Sequence, residues 1–389
     1  MPAALLLVVL SLLLGAGQLG AAEAAAADPQ GGSLTAGEIN QLAALLLPAA
    51  QNSLELKTGL GFDSNVLLAS TAREQSGFAR ADLEAFLWHQ PQGARSVEFT
   101  GFLNASHREF FSSPESPSSS EAFAQAEARW RPVPALRLTL RAQGYYLDSV
   151  VDLSTESDRL ATRLQMMGTV GGGVVRWDLG QGFWTEATGT VNRSSFHNVP
   201  EDYSETRAIL RAGWQSANGL VEIGGSLSSR WRHYEERNQT TAAGRARSGT
   251  ELRYRLPQGE LTAVLRKAWH GDWRLNTALN TSRNQDNGGG YFDYWQHGVR
   301  LELEWTDGPW EAGINLAASR YRWEVQTVGI GLDPPLRSRT DRSSSARLER
   351  RFGTHWLAFA EAEREWVDAN DDASRYTATR ISAGAGWKY

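Results

Sequence analysis

The sequence predicts an all-β protein whose strands close into one antiparallel barrel of about 16 strands. Three observations support this prediction. Apolar and polar residues alternate with a period of two from Leu54 to the end of the chain. Short connections rich in Gly and Pro alternate with long polar ones. The final strand ends on an aromatic residue, Tyr389.

The period of two is clearest at Ala124–Arg131, Leu136–Gln143 and Arg300–Trp305. In each stretch one face is apolar and the other is charged or polar, because successive strand residues point to opposite sides. A lipid-facing exterior and a water-filled interior require this pattern, and it is compatible with a mean hydropathy of −0.41.

Charged residues on the polar faces are predicted to line the lumen. Residues of both signs are present, so strong selectivity for anions or cations is not expected. They also stabilise adjacent strands as cross-strand pairs of opposite charge. The predicted pore residues are Arg129, Arg131, Arg137, Arg141, Arg300, Glu302, Glu304, Arg347 and Glu349.

The connections set the strand count. Short ones such as Pro132–Pro134 suit tight hairpins, whereas long ones such as Asp148–Arg159 are polar. A soluble β-sandwich has no reason for strict alternation between the two. Glu324–Arg342 is predicted to be the longest loop, folding inward as a constriction or facing a ligand. Residues 246–269 are interpreted as one long strand, kinked or bulged at Pro257.

Aromatic residues near strand ends are expected to form two girdles at the membrane interfaces. The alternative is that they pack in a core. Trp88, Trp130, Trp177, Trp305 and Trp387 lie near short turns, and Phe110, Tyr145, Tyr234, Tyr321 and Trp366 lie near long loops.

The C-terminal segment, with Ser382, Gly384, Trp387 and Tyr389 in register, resembles the assembly signal of bacterial outer-membrane β-barrel proteins. This resemblance implies that the last strand pairs with the first, and that the barrel-assembly machinery reads the segment. It also implies short periplasmic turns, long surface loops and a location in the outer membrane of a Gram-negative bacterium.

A second, shorter resemblance is carried by Leu56–Val66. This stretch is similar to the first barrel strand of surface lipoprotein assembly modifiers and of some polysaccharide-export barrels. In those families a helical-repeat periplasmic domain often precedes the barrel, and the segment before Leu54 is too short to contain one.

Three regions are expected along the chain. Residues 1–27 have the apolar run and small residues of a cleaved signal peptide, although no Lys or Arg precedes the run, so an uncleaved helical anchor is the alternative. Residues 28–51 are expected to be a periplasmic segment with a short amphipathic helix, or a plug. The transmembrane barrel is expected to occupy 52–389.

Composition and spacing exclude several classes of site. The chain has no cysteine, which excludes disulfides and thiolate metal sites. Its net charge of −5 does not indicate a nucleic-acid-binding surface. The seven histidines have no metal-ligand spacing, and no Gly-x-Ser-x-Gly motif is present. Acidic loops at Asp63, Asp286 and Asp371 are expected to be solvated, with calcium binding as the alternative. No catalytic residue, metal or cofactor is predicted.

The function predicted from these features is an outer-membrane barrel acting as a passive pore or export conduit, because a barrel of about 16 strands leaves an aqueous channel. One alternative is an accessory barrel that binds a lipoprotein or a polysaccharide. Another is an enzyme at the barrel rim. The expected partners are outer-membrane lipid, the assembly machinery, and small solutes, an exported polymer or a lipoprotein.

Overall fold

The computed structural model describes residues 50–70, 73–90, 97–152, 161–268, 270–329 and 331–389. The predicted signal peptide at 1–27 lies outside these residues. So does the predicted helix of the segment at 28–51, of which Ala50 and Gln51 alone are described. None of the described residues belongs to a helix long and apolar enough to cross a membrane.

Sixteen antiparallel strands form one closed barrel, in which each strand pairs with the next and the last pairs with the first. The predicted fold class is therefore confirmed. The strands are β1 (Ala50–Asp63), β2 (Ser76–His89), β3 (Val97–Phe110), β4 (Ser118–Val133), β5 (Leu136–Asp152), β6 (Ala161–Gly180), β7 (Phe183–Phe196), β8 (Tyr203–Gln215), β9 (Val221–Tyr234), β10 (Arg253–Ala268), β11 (Asp272–Asp286), β12 (Tyr294–Asp307), β13 (Trp310–Thr327), β14 (Leu336–Phe352), β15 (Trp356–Ala369) and β16 (Tyr376–Lys388).

Short and long connections alternate as predicted, except that the β2–β3 connection at 90–96 is as long as several of the loops. Short turns lie at the end of the barrel where β1 begins and β16 ends, and long loops such as 235–252 lie at the other end. The β6–β7 turn uses Gly180 and Gly182 with φ of 92° and 83°, a backbone region that glycine adopts without a steric penalty. The arrangement is that of periplasmic turns and surface loops.

The prediction of a longest loop at Glu324–Arg342 is wrong. Strand β13 continues to Thr327 and β14 begins at Leu336, so the loop spans 328–335. A hydrogen bond from the N–H of Val328 to the carbonyl of Pro335 closes it, with an N···O distance of 2.9 Å. The ends of these strands are mostly polar on both faces, so the sequence alone does not distinguish them from a loop.

Strand β10 passes through Pro257 as one strand, as predicted, but it begins at Arg253. Pro257 pairs with Ser229 of β9, while pairing with β11 is interrupted and resumes at Gln258 in the same register. At Pro257 the structure describes β10 and both of its neighbours, and none of the three has an extra residue there. The predicted bulge is therefore absent. Proline lacks an N–H group and therefore interrupts one ladder without shifting it.

Ion pairs between strands that are not neighbours identify the inner face. The Nζ of Lys57 on β1 lies 2.6 Å from Oε1 of Glu349 on β14, although β16 and β15 stand between these strands. Arg80 on β2 contacts Glu361 on β15 in the same way. Only side chains on the concave side of a curved sheet approach each other like this. Since paired residues share a face, the register extends the inner face around the barrel.

The outer face is apolar and exposed. Leu60, Leu140 and Leu227 are 65%, 70% and 71% exposed, and each has the opposite parity to the inward residues of its strand. Exposing apolar side chains to water costs roughly 25 cal/mol per Å², a cost that lipid removes. The exterior is thus the lipid-facing surface of a transmembrane barrel.

The girdle prediction is right for half of its residues. Trp130, Trp177, Trp305, Trp366 and Trp387 share the outer face with the apolar band. The other half have the parity of the inward charges and face the lumen, because proximity to a loop sets the depth of a residue in the membrane and not its face. The inward residues are Trp88, Phe110, Tyr145, Tyr234 and Tyr321.

Candidate functional site

All of the predicted pore residues have the parity of the inner face. Glu127 is paired with Arg141, and Glu304 is paired with Gly313, which is paired in turn with Arg347. The remaining members lie at even spacing from these on the same strands. The set is Arg129, Arg131, Arg137, Arg141, Arg300, Glu302, Glu304, Arg347 and Glu349. Their part in solute passage stays a prediction.

Strands β14, β15, β16, β1 and β2 form a packed section of the inner wall, centred on Phe359. Its side chain is 4% exposed. Lys57 Nζ lies 5.9 Å and Arg80 Cζ 5.3 Å from the centroid of its ring, and each cation is attracted by the π-electrons. A Cβ at Gly384 would lie 2.0 Å from the carbonyl oxygen of Thr58 and 2.9 Å from the Phe359 ring. Glycine therefore makes room for this ring over the β1–β16 seam.

Carboxylates surround these two cations. Lys57 Nζ lies 2.5 Å from Glu55 and 2.6 Å from Glu349, whose side chain is only 4% exposed. Arg347 also pairs with Glu349, and Arg80 contacts both Glu361 and Asp82. Each cation of the packed wall is thus paired with carboxylates of the same wall.

A second ion-pair group lies above the first, at the long-loop end. Asp63 is fully buried and accepts a hydrogen bond from Arg380 at 2.9 Å. Arg380 also donates to Glu363, and the backbone N–H of Asn65 donates to Asp63. The sequence analysis predicts that Asp63 is a solvated loop residue, with calcium binding as the alternative. It is instead buried, and its hydrogen bond with Arg380 joins β1 to β16 at the seam.

Strands β4 to β8 form an open section of the inner wall. A cavity of about 460 Å³ lies against it, lined by arginines, glutamates and neutral side chains. Glu127 accepts hydrogen bonds from Arg129 and Arg141 at 2.9 and 2.6 Å, and Arg211 donates to Glu186 at 3.0 Å. Ordered ion pairs thus line a solvent-filled space on this side.

Cations outnumber anions along the open wall. The cavity is lined by five arginines and three glutamates. Among the described residues, Arg137 and Arg207 have no carboxylate within ion-pair distance, and Nε of Arg207 is buried without a hydrogen-bond partner. Two inward arginines therefore have no direct ion-pair partner in the described part of the chain, and the five arginines and three glutamates give the cavity lining a formal net charge of +2.

Near the long-loop end, the inner face carries an arc of aromatic rings that the sequence analysis assigned to a girdle or left out. Successive ring centroids are 5.4–6.2 Å apart, within the range of favourable aromatic contacts. Arg232 stands over one of them, with Cζ 4.0 Å from the ring centroid of Tyr203. The signal that would have found the arc is parity with the neighbouring arginines. Its members are Phe196, Tyr203, Tyr234, Tyr254 and Phe292.

Two surface loops beside this arc are tied together. Gly289 in the β11–β12 loop donates its N–H to the carbonyl of Thr240 in the β9–β10 loop, at 2.8 Å. The Asp286 carboxylate accepts three backbone N–H groups of its own loop. Burial raises the pKa of the neighbouring Asp293 carboxyl. This part of the rim is therefore an ordered structure.

The residues of the predicted C-terminal assembly signal are divided between the inner and the outer face of the barrel. Ser382 and Gly384 face inward, where Ser382 Oγ accepts a hydrogen bond from Arg80 at 3.0 Å. Trp387 faces outward and stacks on Tyr389 with ring centroids 6.2 Å apart. Tyr389 exchanges two backbone hydrogen bonds with Leu54, so the last residue still belongs to the closing seam.

In the part of the chain that the structure describes, no three His, Asp or Glu side chains stand close enough to hold a metal ion. Asp371, in the third acidic loop, instead caps the short 3-10 helix Asp372–Ser374, where it accepts the N–H of Ala373.

No protein-family model matches the chain, and no curated protein matches it in sequence. Several solved structures are similar to it. A bacterial polysaccharide outer membrane secretin is 12% identical, with a TM-score of 0.40 over 86% of this chain and 98% of that one. OccAB1 of Acinetobacter baumannii is 10% identical, with a TM-score of 0.42 over 87% and 96%. A BenF-like porin from Pseudomonas fluorescens Pf-5 is 10% identical, with a TM-score of 0.38 over 88% and 100%.

The closed barrel with its apolar exterior, its charged interior and its alternating turns and loops has the architecture of a transmembrane β-barrel of the outer-membrane type.

Proposed function

We propose that this outer-membrane barrel is a passive pore for small polar solutes, with a modest preference for anions. The observation that supports the proposal is the open wall of β4 to β8, where five arginines and three glutamates line a cavity of about 460 Å³. Fixed positive charge along an aqueous path raises the local concentration of anions. The mixed signs still keep the preference modest.

The packed wall favours small solutes over an exported polymer. Phe359 and the cations of Lys57 and Arg80 over its ring lie on the inner face beside β1 and β16, and the aromatic arc projects into the lumen near the long-loop end. We therefore place the free path beside the open wall of β4 to β8. No residue is assigned a catalytic role in this proposal.

The test is conductance of the purified protein in planar bilayers under a potassium chloride gradient. We expect discrete channels whose reversal potential indicates chloride preference. In the double variant Arg137→Gln/Arg207→Gln we expect the chloride-to-potassium permeability ratio to fall by about twofold or more, since two uncompensated charges leave the path.

The matched control is Arg193→Gln, which removes one positive charge from the outer face, where Arg193 pairs with Glu235 at 3.1 Å. It should leave the reversal potential unchanged. Absence of channels in the folded wild type, or an equal shift in the control, would reject the proposal.

The two ends of the chain act in export and assembly of the barrel. Residues 1–27 act as a cleaved signal peptide. The periplasmic segment outside the lumen comprises residues 28–49, since β1 begins at Ala50. The assembly machinery binds the C-terminal segment before the seam closes. This segment contains the inward Ser382 and Gly384 and the outward Trp387 and Tyr389.

A further inference from the structure

The outer face of β11, β12 and β13 carries a cluster of cations close to the surface loops. Register places Arg283, Trp295 and Arg322 side by side in one row. The next row toward the membrane contains His297 beside Arg320. Arg320, Arg322 and His297 are exposed, and Trp295 is 43% exposed. We call these five residues the outer basic patch.

The patch forms a groove and contains uncompensated charge. A cavity of about 510 Å³ is lined by Trp295, His297, Arg320 and Arg322. Arg283 is neutralised by two hydrogen bonds of 2.9 Å to Glu324. Among the described residues, neither Arg320 nor Arg322 has a carboxylate within ion-pair distance. Two guanidinium groups therefore face outward with free donors.

The shape of the patch is held by its own contacts. The His297 ring stacks on Trp295 with an interplanar angle of 8°, and its Nδ1 lies 3.0 Å from Oγ1 of Thr281. Arg283, on the neighbouring strand β11, also contacts Trp295, and its Cζ lies 5.5 Å from the ring centroid. Trp295 and His297 thus form an ordered floor beside the two free arginines, since register pairs each ring with one of these arginines.

The lipid-facing band begins directly below the patch. Leu279 and Val299 occupy the next row and are 56% and 46% exposed, and Leu316 follows at 45%. An occupant of the groove would thus meet two guanidinium groups at its head and an apolar surface along its tail. Solutes in the lumen do not reach this outer face, so the patch has no role in conduction through the pore.

We propose that the outer basic patch binds the phosphate group of a lipid in the outer leaflet of the membrane. Arg320 and Arg322 donate hydrogen bonds to the phosphate oxygens, because a planar guanidinium matches phosphate geometry. Trp295 lies at the interface between headgroup and acyl chains, as tryptophans in barrels do. The apolar row below contacts the acyl chains.

The test is native mass spectrometry of the full-length protein in detergent with purified diphosphorylated lipid A as the probe. We expect wild type to retain the lipid. The double variant Arg320→Gln/Arg322→Gln should bind it at least about tenfold more weakly, since hydrogen bonds between charged groups are lost.

The matched control is Arg193→Gln/Arg253→Gln. It removes the same charge from the same face and the same end of the barrel, but from arginines paired with Glu235 and Glu251. Affinity in this control should stay within about twofold of wild type, because the free guanidinium pair is intact. Equal loss in both variants would show that net charge alone attracts the lipid, and would overturn the proposal.

Two further measurements use wild type alone, so the proposal stays testable if a variant does not fold. Lipid A stripped of its phosphates should bind at least about tenfold more weakly. Inorganic phosphate at the same concentration should not displace the phosphorylated lipid. Equal binding of the stripped lipid, or displacement by free phosphate, would overturn the proposal. Channel conductance is independent of these outcomes.

Discussion

Lys57 connects strands that are not neighbours in the sheet. Its Nζ contacts Glu55 on its own strand and Glu349 on β14, and it stands over the Phe359 ring of β15. One inward side chain therefore joins three strands across the closing seam. Such a contact is available only because the barrel wall is curved.

Replacing Lys57 by methionine should lower the free energy of unfolding by about 1–3 kcal/mol, because buried Glu349 and half-buried Glu55 lose a charged donor. Equilibrium unfolding in urea from lipid vesicles measures this change. The matched control is Lys388→Met. Lys388 pairs with Glu55 at 3.3 Å but is 37% exposed, so the change should be below about 1 kcal/mol. Equal effects of the two substitutions would contradict this account of the seam.

At the scale of the element, β16 is shaped by the neighbours it meets on its inner face. Its alternation places Ile381 in the lipid band, 51% exposed, and Gly384 under Phe359. The glycine is required by a close approach: an added Cβ would lie 2.0 Å from a backbone carbonyl oxygen of β1. The seam therefore tolerates little volume at this position.

We expect Gly384→Ala to destabilise the barrel by about 1–3 kcal/mol through overpacking. The control is Gly313→Ala on β13, where an added Cβ has no atom within 4 Å. Both variants are refolded from urea into detergent without assembly machinery, and the temperature at which gel mobility shifts is compared. A lower shift temperature for Gly384→Ala alone is the expected result, and equal temperatures would refute the steric argument.

At the scale of the whole molecule, residues 50–389 close the barrel, since β1 pairs with both β2 and β16. We therefore expect deletion of residues 28–49, with the signal peptide retained, to leave single-channel conductance unchanged. Planar bilayer recordings measure this. A clear rise in conductance on deletion would mean that this segment obstructs the lumen, contrary to the proposed periplasmic position.

The amino-acid sequence by itself determined the strands, their number and the chemistry of the two faces. These properties are local: a period of two is written into each strand, as in Leu136–Gln143, and turn residues mark where most strands end, β13 and β14 excepted. The parity of Arg129 and Arg141 was equally available, and Tyr234 shares the parity of Arg230 and Arg232. Assigning it to a girdle by its nearness to a loop overlooked that signal.

Only the tertiary structure decided which distant side chains meet. The contacts of Lys57 with Glu349 and of Arg80 with Glu361 depend on closure and curvature, which bring strands separated by two others within reach on the concave side. The rows that place Arg322 beside Trp295 depend on the register between strands. Neither curvature nor register is encoded by the alternation of a single strand, because they result from the pairing of all the strands together.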